Sequence, residues 1–213
     1  MNTHLTIVPV NISLENEKIY SLAEAIKTDF PLKYSSINIE PNVNISIKNK
    51  PSFFMEMTTE EKIDFNSHFP SNTIHYGFDT LRNDGIFKYL RQNYHGDIIA
   101  LTDHFVLSFL GYLQNGSAYP EDHVSIVSNA VIKRLGLDPI RSLEIITLHE
   151  LGHLHRLDHD ISRVNKMKYC PMTPIHEIRS KNNISLYDTL QYELRSNKYC
   201  DKCKTTLRKN SAP

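Results

Sequence analysis

The apolar positions change period several times along this chain. Residues 4–12 form a short apolar run that reads as a strand. Residues 15–28 then place Ile19, Leu22, Ala23 and Ile26 three and four apart, which predicts a helix with one buried face. Residues 35–39 and 43–48 alternate strictly, with Ile37, Ile39, Val43, Ile45 and Ile47 opposed by Asn44, Ser46 and Lys48. Glu40-Pro41-Asn42 divides them into a hairpin or one bent strand. Thr58 and Glu61 have the spacing of a capping box for a short helix. Residues 66–78 read as loop, and a helix follows over about 80–94 with Leu81, Ile86, Phe87, Leu90 and Tyr94 inward.

The second half begins with Asp97–Thr102, an apolar run of the kind found in central strands. Residues 105–113 read as an outer strand, with a turn at Asn115-Gly116 and another strand over His123–Ser128. Asp138 is a good N-cap and Pro139 suits a first helical position, so a helix runs from about Pro139 to about His155. Ile145, Ile146, Leu148, Leu151 and Leu154 make it apolar on nearly every side, which predicts burial. Beyond His159 the pattern fades, and residues 160–183 are polar and irregular. Ser185 and Asp188 open a last helix with Leu186, Leu190 and Leu194 on one face. The tail 204–213 is polar and reads as frayed. Strands and helices in this order predict an α+β fold, a mixed sheet with helices packed against it.

Composition narrows the function classes. The chain has 213 residues, one domain of ordinary size, with 24 basic and 24 acidic side chains and no net charge. No basic run stands out, which argues against nucleic acid and anionic membrane as partners. The N-terminus has no basic region ahead of its apolar stretch, so it reads as a first strand rather than a signal peptide. No apolar run is long enough to cross a bilayer. The expectation is a cytoplasmic protein. Its oligomeric state is not legible. Cys170, Cys200 and Cys203 are an odd number, and the Cys200-x-x-Cys203 pair favours metal over a disulfide. A redox dithiol is the competing reading, but the pair follows a helix rather than opening one after a strand.

The chemistry concentrates at His149-Glu150-Leu151-Gly152-His153, with His159 six residues on. Residues four apart on a helix share a face, so His149 and His153 can aim at one metal. Glu150 sits beside them, within reach of a water but not a ligand. The chain must then turn back to bring in His159. Three protein ligands and an open position mark a catalytic Zn2+ site. Two histidines and a glutamate in a buried helix are costly to desolvate unless something compensates them.

These residues resemble the metzincin zinc peptidases, and among them the archaemetzincin family. The resemblance spans roughly residues 80–203. It includes the elongated histidine motif, Met172 two residues after Cys170, the closing Cys200-x-x-Cys203, and the sheet segments Ala100–Asp103 and Val124–Ser128. It implies a twisted mixed sheet, a long active-site helix and a small zinc-stabilised C-terminal subdomain. The division would fall near residue 155, with an N-terminal part of about 1–155 and a C-terminal part of about 156–203. The resemblance also implies a methionine turn at Met172 beneath the catalytic zinc, and a second, structural zinc on Cys170, Cys200 and Cys203.

Two positions depart from the family. Arg156 stands where a glycine usually permits the left-handed turn, which leaves His155 and Asp160 as rivals to His159 for the third place. Asp160 stands where a cysteine usually follows the third histidine. The fourth structural ligand is then Asp160 or His176. The implied activity is peptide-bond hydrolysis by a zinc-bound water, with Glu150 as general base and a peptide or protein as substrate. Residues 105–113 could be the sheet edge that receives an extended peptide. The alternative is a catalytically impaired zinc-binding scaffold or peptide-binding module. Endopeptidase and aminopeptidase readings both remain open. Tyr187 and Tyr192 are available as further donors.

Overall fold

The computed structural model describes residues 4–44, 73–75, 86–107, 113–134, 136–160, 170–173, 191 and 198–210, and elements are numbered among these. The first are β1 (His4–Val10), α1 (Asn16–Asp29), β2 (Ser36–Ile39), β3 (Thr73–His75) and α2 (Ile86–Asn93). There follow β4 (Asp97–Thr102), β5 (Phe105–Leu107), β6 (Leu113–Gln114), β7 (Gly116–Tyr119) and β8 (Val124–Ser128). The last are α3 (Ala130–Arg134), α4 (Pro139–Leu154) and α5 (Asp201–Asn210). Five strands form the main sheet in the order β2-β1-β4-β8-β7. The first four run parallel, and β7 pairs antiparallel with β8. This is the mixed sheet with helices that the sequence predicts.

The pleat explains why the central strand is apolar throughout. All six residues of β4 are buried. Ile99 and Leu101 join Leu5, Ile7 and Val127 on the face covered by α1 and α4. Ile98 and Ala100 join Val8, Val10, Val124 and Ile126 on the other face, beneath Leu90 of α2. Alternate residues thus serve opposite layers, and each fully buried aliphatic side chain contributes about 1.5–3 kcal/mol.

Helix α4 starts where its cap predicts. The Asp138 carboxylate accepts from the main-chain N–H groups of Ile140 (2.9 Å) and Arg141 (3.1 Å). Pro139 occupies the first helical position. Ile145, Leu148 and Leu151 are all buried, so the helix is enclosed between the sheet and the C-terminal residues.

Several expectations are corrected. Part of the segment read as loop over 66–78 is strand β3, in a second sheet of order β3-β5-β6. Residues 105–113 are not one outer strand. β5 and β6 pair antiparallel, Val106 with Gln114 and Leu107 with Leu113, so the chain doubles back on itself. The turn at Asn115 is shorter than expected, because Gly116 already opens β7. The tail read as frayed from 204 is mostly the helix α5. It buries Cys203 and Leu207 and sends the Asn210 side-chain amide to the carbonyls of His155 (3.1 Å) and Arg156 (3.4 Å). The short helix α3 was not legible at all. Val43 bridges to Val10, but the rest of that strand, the Thr58–Glu61 cap and the helix opening at Ser185 lie outside the described residues. Among the described residues, no helix is long and apolar enough to cross a membrane.

Candidate metal centre

The last turns of α4 put His149 and His153 on one face, and the chain reverses at once. Arg156 adopts φ 61°, the left-handed state that a glycine would take without strain. Its N–H reaches the His153 carbonyl (2.8 Å), and the Leu157 N–H reaches the Gly152 carbonyl (2.9 Å). These two bonds make a Schellman ending, which satisfies the helix carbonyls and turns the chain back. His159 then meets the helix. Its Nε2 lies 3.0 Å from that of His153 and 3.3 Å from that of His149, and the helical pair are 3.0 Å apart.

The contact between His149 and His153 is not a hydrogen bond. The Nδ1 of His149 donates to the Pro171 carbonyl (2.5 Å), and the Nδ1 of His153 donates to the Leu157 carbonyl (2.8 Å). A carbonyl can only accept, so both Nδ1 atoms carry the proton and both Nε2 atoms present lone pairs. Lone pairs that converge repel unless a cation sits among them. Tetrahedral zinc with Zn–N of about 2.0–2.1 Å sets nitrogens about 3.3 Å apart, close to the spacings here. The donor set therefore fits zinc. Burial lowers the His153 pKa despite the raising influence of the Leu157 carbonyl, which favours the neutral form that a metal needs.

The rival third donors point elsewhere. The Nε2 of His155 lies 3.1 Å from Asp97 Oδ2 and 2.9 Å from the Tyr34 hydroxyl. Asp160 faces the cysteines.

Glu150 is only 5 % exposed, yet it lines a cleft of about 650 Å³ together with the three histidines. The opposite wall is β7 with Asn115 and Pro120. A Cβ on Gly116 would stand 2.5 Å from Glu150 Oε1, so only glycine lets the strand pass this close. β7 is also the end of the main sheet, with no further strand beside it among the described residues. The edge at the cleft is thus β7, not the segment 105–113.

The floor is built from the turn Cys170–Thr173, closed by a bond from the Thr173 N–H to the Cys170 carbonyl (2.9 Å). Met172 is fully buried, and its sulfur occupies the space beside Gly152 where a Cβ would otherwise stand. The Tyr199 hydroxyl donates to the Leu148 carbonyl from below. The same turn ends in the cysteine cluster. The Sγ atoms of Cys170, Cys200 and Cys203 lie within 4.8 Å of one another, Cys170 and Cys203 at 3.7 Å. The Cys203 thiol beside it, outweighing burial, brings Cys170 down to about 6 with help from the Cys200 N–H. Cys203 is pushed up by the same neighbour. His176, Tyr187 and Tyr192 lie outside the described residues.

All six metal-ligand candidates and Glu150 are therefore brought together as two clusters. The sequence reading missed Gly116, the Pro171 carbonyl and Tyr199. Two of these act through backbone, and Tyr199 carried no signal beyond its place before Cys200.

A long helix bearing two of three convergent histidines, a mixed sheet above it and a methionine-bearing turn below define a metzincin-type architecture. Comparison of the sequence with family models and with curated proteins gives no match. Comparison of the fold does. A zinc-dependent peptidase from Methanocorpusculum labreanum superposes with TM-score 0.58 at 15 % identity, covering 95 % of this chain and 99 % of that one. The archaemetzincin from Methanopyrus kandleri gives 0.58 at 17 %, covering 98 % and 95 %. The archaemetzincin from Archaeoglobus fulgidus gives 0.53 at 12 %, covering 95 % and 99 %. The chain has the archaemetzincin fold.

Proposed function

We propose that this chain is a zinc-dependent peptidase, with His149, His153 and His159 holding the catalytic zinc and Glu150 acting as general base. The observation that carries this reading is the convergence of three imidazole Nε2 atoms, 3.0–3.3 Å apart, beside a buried carboxylate in an open cleft. The fold neighbour from Methanocorpusculum labreanum bears the name zinc-dependent peptidase, which supports the same assignment. Zinc, when bound, supplies Lewis acidity that polarises a carbonyl and acidifies water.

The chain's own residues supply the rest. The carbonyls of Pro171 and Leu157 fix the tautomer and ring plane of His149 and His153. Glu150 takes a proton from the attacking water and returns it to the leaving amine. Gly116 leaves the space in which that carboxylate stands. The outer edge of β7 offers backbone groups to an extended peptide, as in strand addition. The turn at Arg156 keeps the hydrogen bonds of a helix ending despite the missing glycine, which supports the peptidase reading over a catalytically impaired scaffold.

The test uses the purified chain and a mixed pool of unstructured peptides. Cleavage that a chelator abolishes and added zinc restores is expected. Zinc-replete protein that cleaves none of the pool contradicts the assignment.

A further inference from the structure

Three thiols do not complete a closed site, because structural zinc takes four protein ligands. The structure offers a fourth donor. Asp160 is 3 % exposed, and its Oδ2 lies 4.0 Å from the Cys200 sulfur. Its main-chain N–H is held by the Met172 carbonyl (2.8 Å), inside the turn that carries Cys170. Tetrahedral zinc with Zn–S of about 2.3 Å and Zn–O of about 2.0–2.2 Å sets sulfurs about 3.8 Å apart and sulfur from oxygen about 3.6 Å. The Cys170–Cys203 separation of 3.7 Å matches the sulfur–sulfur edge, whereas Asp160, 4.0 Å from the Cys200 sulfur and outside the group of three sulfurs within 4.8 Å of one another, has to close toward the ion by a side-chain movement.

The surroundings are prepared for anionic donors. The Cys200 N–H points to the Cys170 sulfur and the Cys203 N–H to the Cys200 sulfur, each at 3.4 Å. The Lys202 ammonium holds the other carboxylate oxygen, Oδ1, at 3.0 Å. One oxygen is thus turned toward the sulfurs while its twin is held from outside, the arrangement that orients a ligating carboxylate. Bringing a carboxylate into a buried group of thiols is costly unless a cation sits among them.

We propose that Asp160 is the fourth ligand of a mixed metal site made of the Cys170, Cys200 and Cys203 thiolates and one carboxylate, with Lys202 as its outer partner. Thiolates select zinc or cobalt over magnesium and calcium. The site also has a mechanical role. Asp160 directly follows His159, and Cys170 directly precedes Pro171 and Met172. One ion therefore fastens both segments that hold the histidine cluster. The proposal stands whether or not that cluster cleaves peptides.

Cobalt(II) substitution in the full chain gives a readout independent of activity. Thiolate-to-cobalt charge-transfer absorption arises only at the cysteine site, because the histidine site has no sulfur. Asp160→Cys is expected to raise that band by about a third, four sulfurs replacing three around the ion. Asp160→Ala should keep the band shape of a three-thiolate site but weaken cobalt binding there by at least about tenfold. Lys202→Met should weaken it less. An unchanged band in Asp160→Cys, or unchanged affinity in Asp160→Ala, overturns the proposal. Affinity kept in Asp160→Ala and lost on adding His176→Ala likewise overturns it, giving the place to His176.

Discussion

At the scale of single residues, Arg156 holds a backbone state that side chains with a Cβ avoid, and it does so where the helix must reverse. The left-handed state costs an ordinary residue roughly 1 kcal/mol or more relative to glycine. Its ion pair with Glu121 spans 2.9 Å, but the side chains are 64 % and 74 % exposed. Such a pair returns little. Arg156→Gly is therefore expected to stabilise the zinc-loaded chain by up to about 1 kcal/mol, a rise in Tm of roughly 2–4 °C. Thermal unfolding measures it, and a lower Tm would mean that the arginine does more here than its exposed pair accounts for. The histidines were legible because metal-ligand spacing on a helix is a local property. The atoms that orient them were not. The carbonyls of Pro171 and Leu157 belong to no residue type, and a sequence carries no mark of where a carbonyl points.

Among the elements, α4 was readable from end to end because its cap, its first proline and its apolar faces are all local signals. β7 was not. Gly116-Ser117-Ala118-Tyr119 has no alternation and no β-branched residue, and it is a strand because β8 provides the ladder. α5 was hidden for a related reason. Only Cys203 and Leu207 of its ten residues are buried, too few for a periodic signal. The structure makes Leu207 a core residue with no exposure. Leu207→Ala should cost about 2–5 kcal/mol of stability, which denaturant unfolding would read. A frayed tail would make the same substitution nearly neutral. The expected outer strand at 105–113 failed because apolar character alone does not distinguish one long strand from a hairpin. The two short strands β5 and β6 are set by their pairing, Val106 with Gln114 and Leu107 with Leu113.

At the scale of the whole molecule, the sheet and α4 are tied together by one buried carboxylate. Asp97, at the start of β4, meets His123 (2.9 Å) before β8, Tyr34 (3.0 Å) before β2, and His155 (3.1 Å) at the end of α4. Burial alone would raise its pKa, but the donors from His155, His123 and Tyr34 together outweigh burial and hold the carboxyl below its usual value. A carboxyl lowered by folding adds stability above the ordinary range near 4, and that contribution is lost as the pH falls through the depressed value. Asp97→Asn should therefore be less stable than the parent at neutral pH, with the gap narrowing below about pH 4. Urea unfolding of both proteins across that range checks the sign, and a gap that widens on acidification would contradict it.

The same scale carries the central claim. In the proposed mechanism, zinc held by three imidazoles and a proton moved by Glu150 make separable contributions, because Glu150 is not assigned as a ligand. Zinc content and peptide cleavage, measured on one preparation of Glu150→Gln, separate them most directly. The account predicts zinc at the parent level and cleavage reduced by about 10²–10⁴-fold. Cleavage at the parent rate by zinc-loaded Glu150→Gln would contradict it.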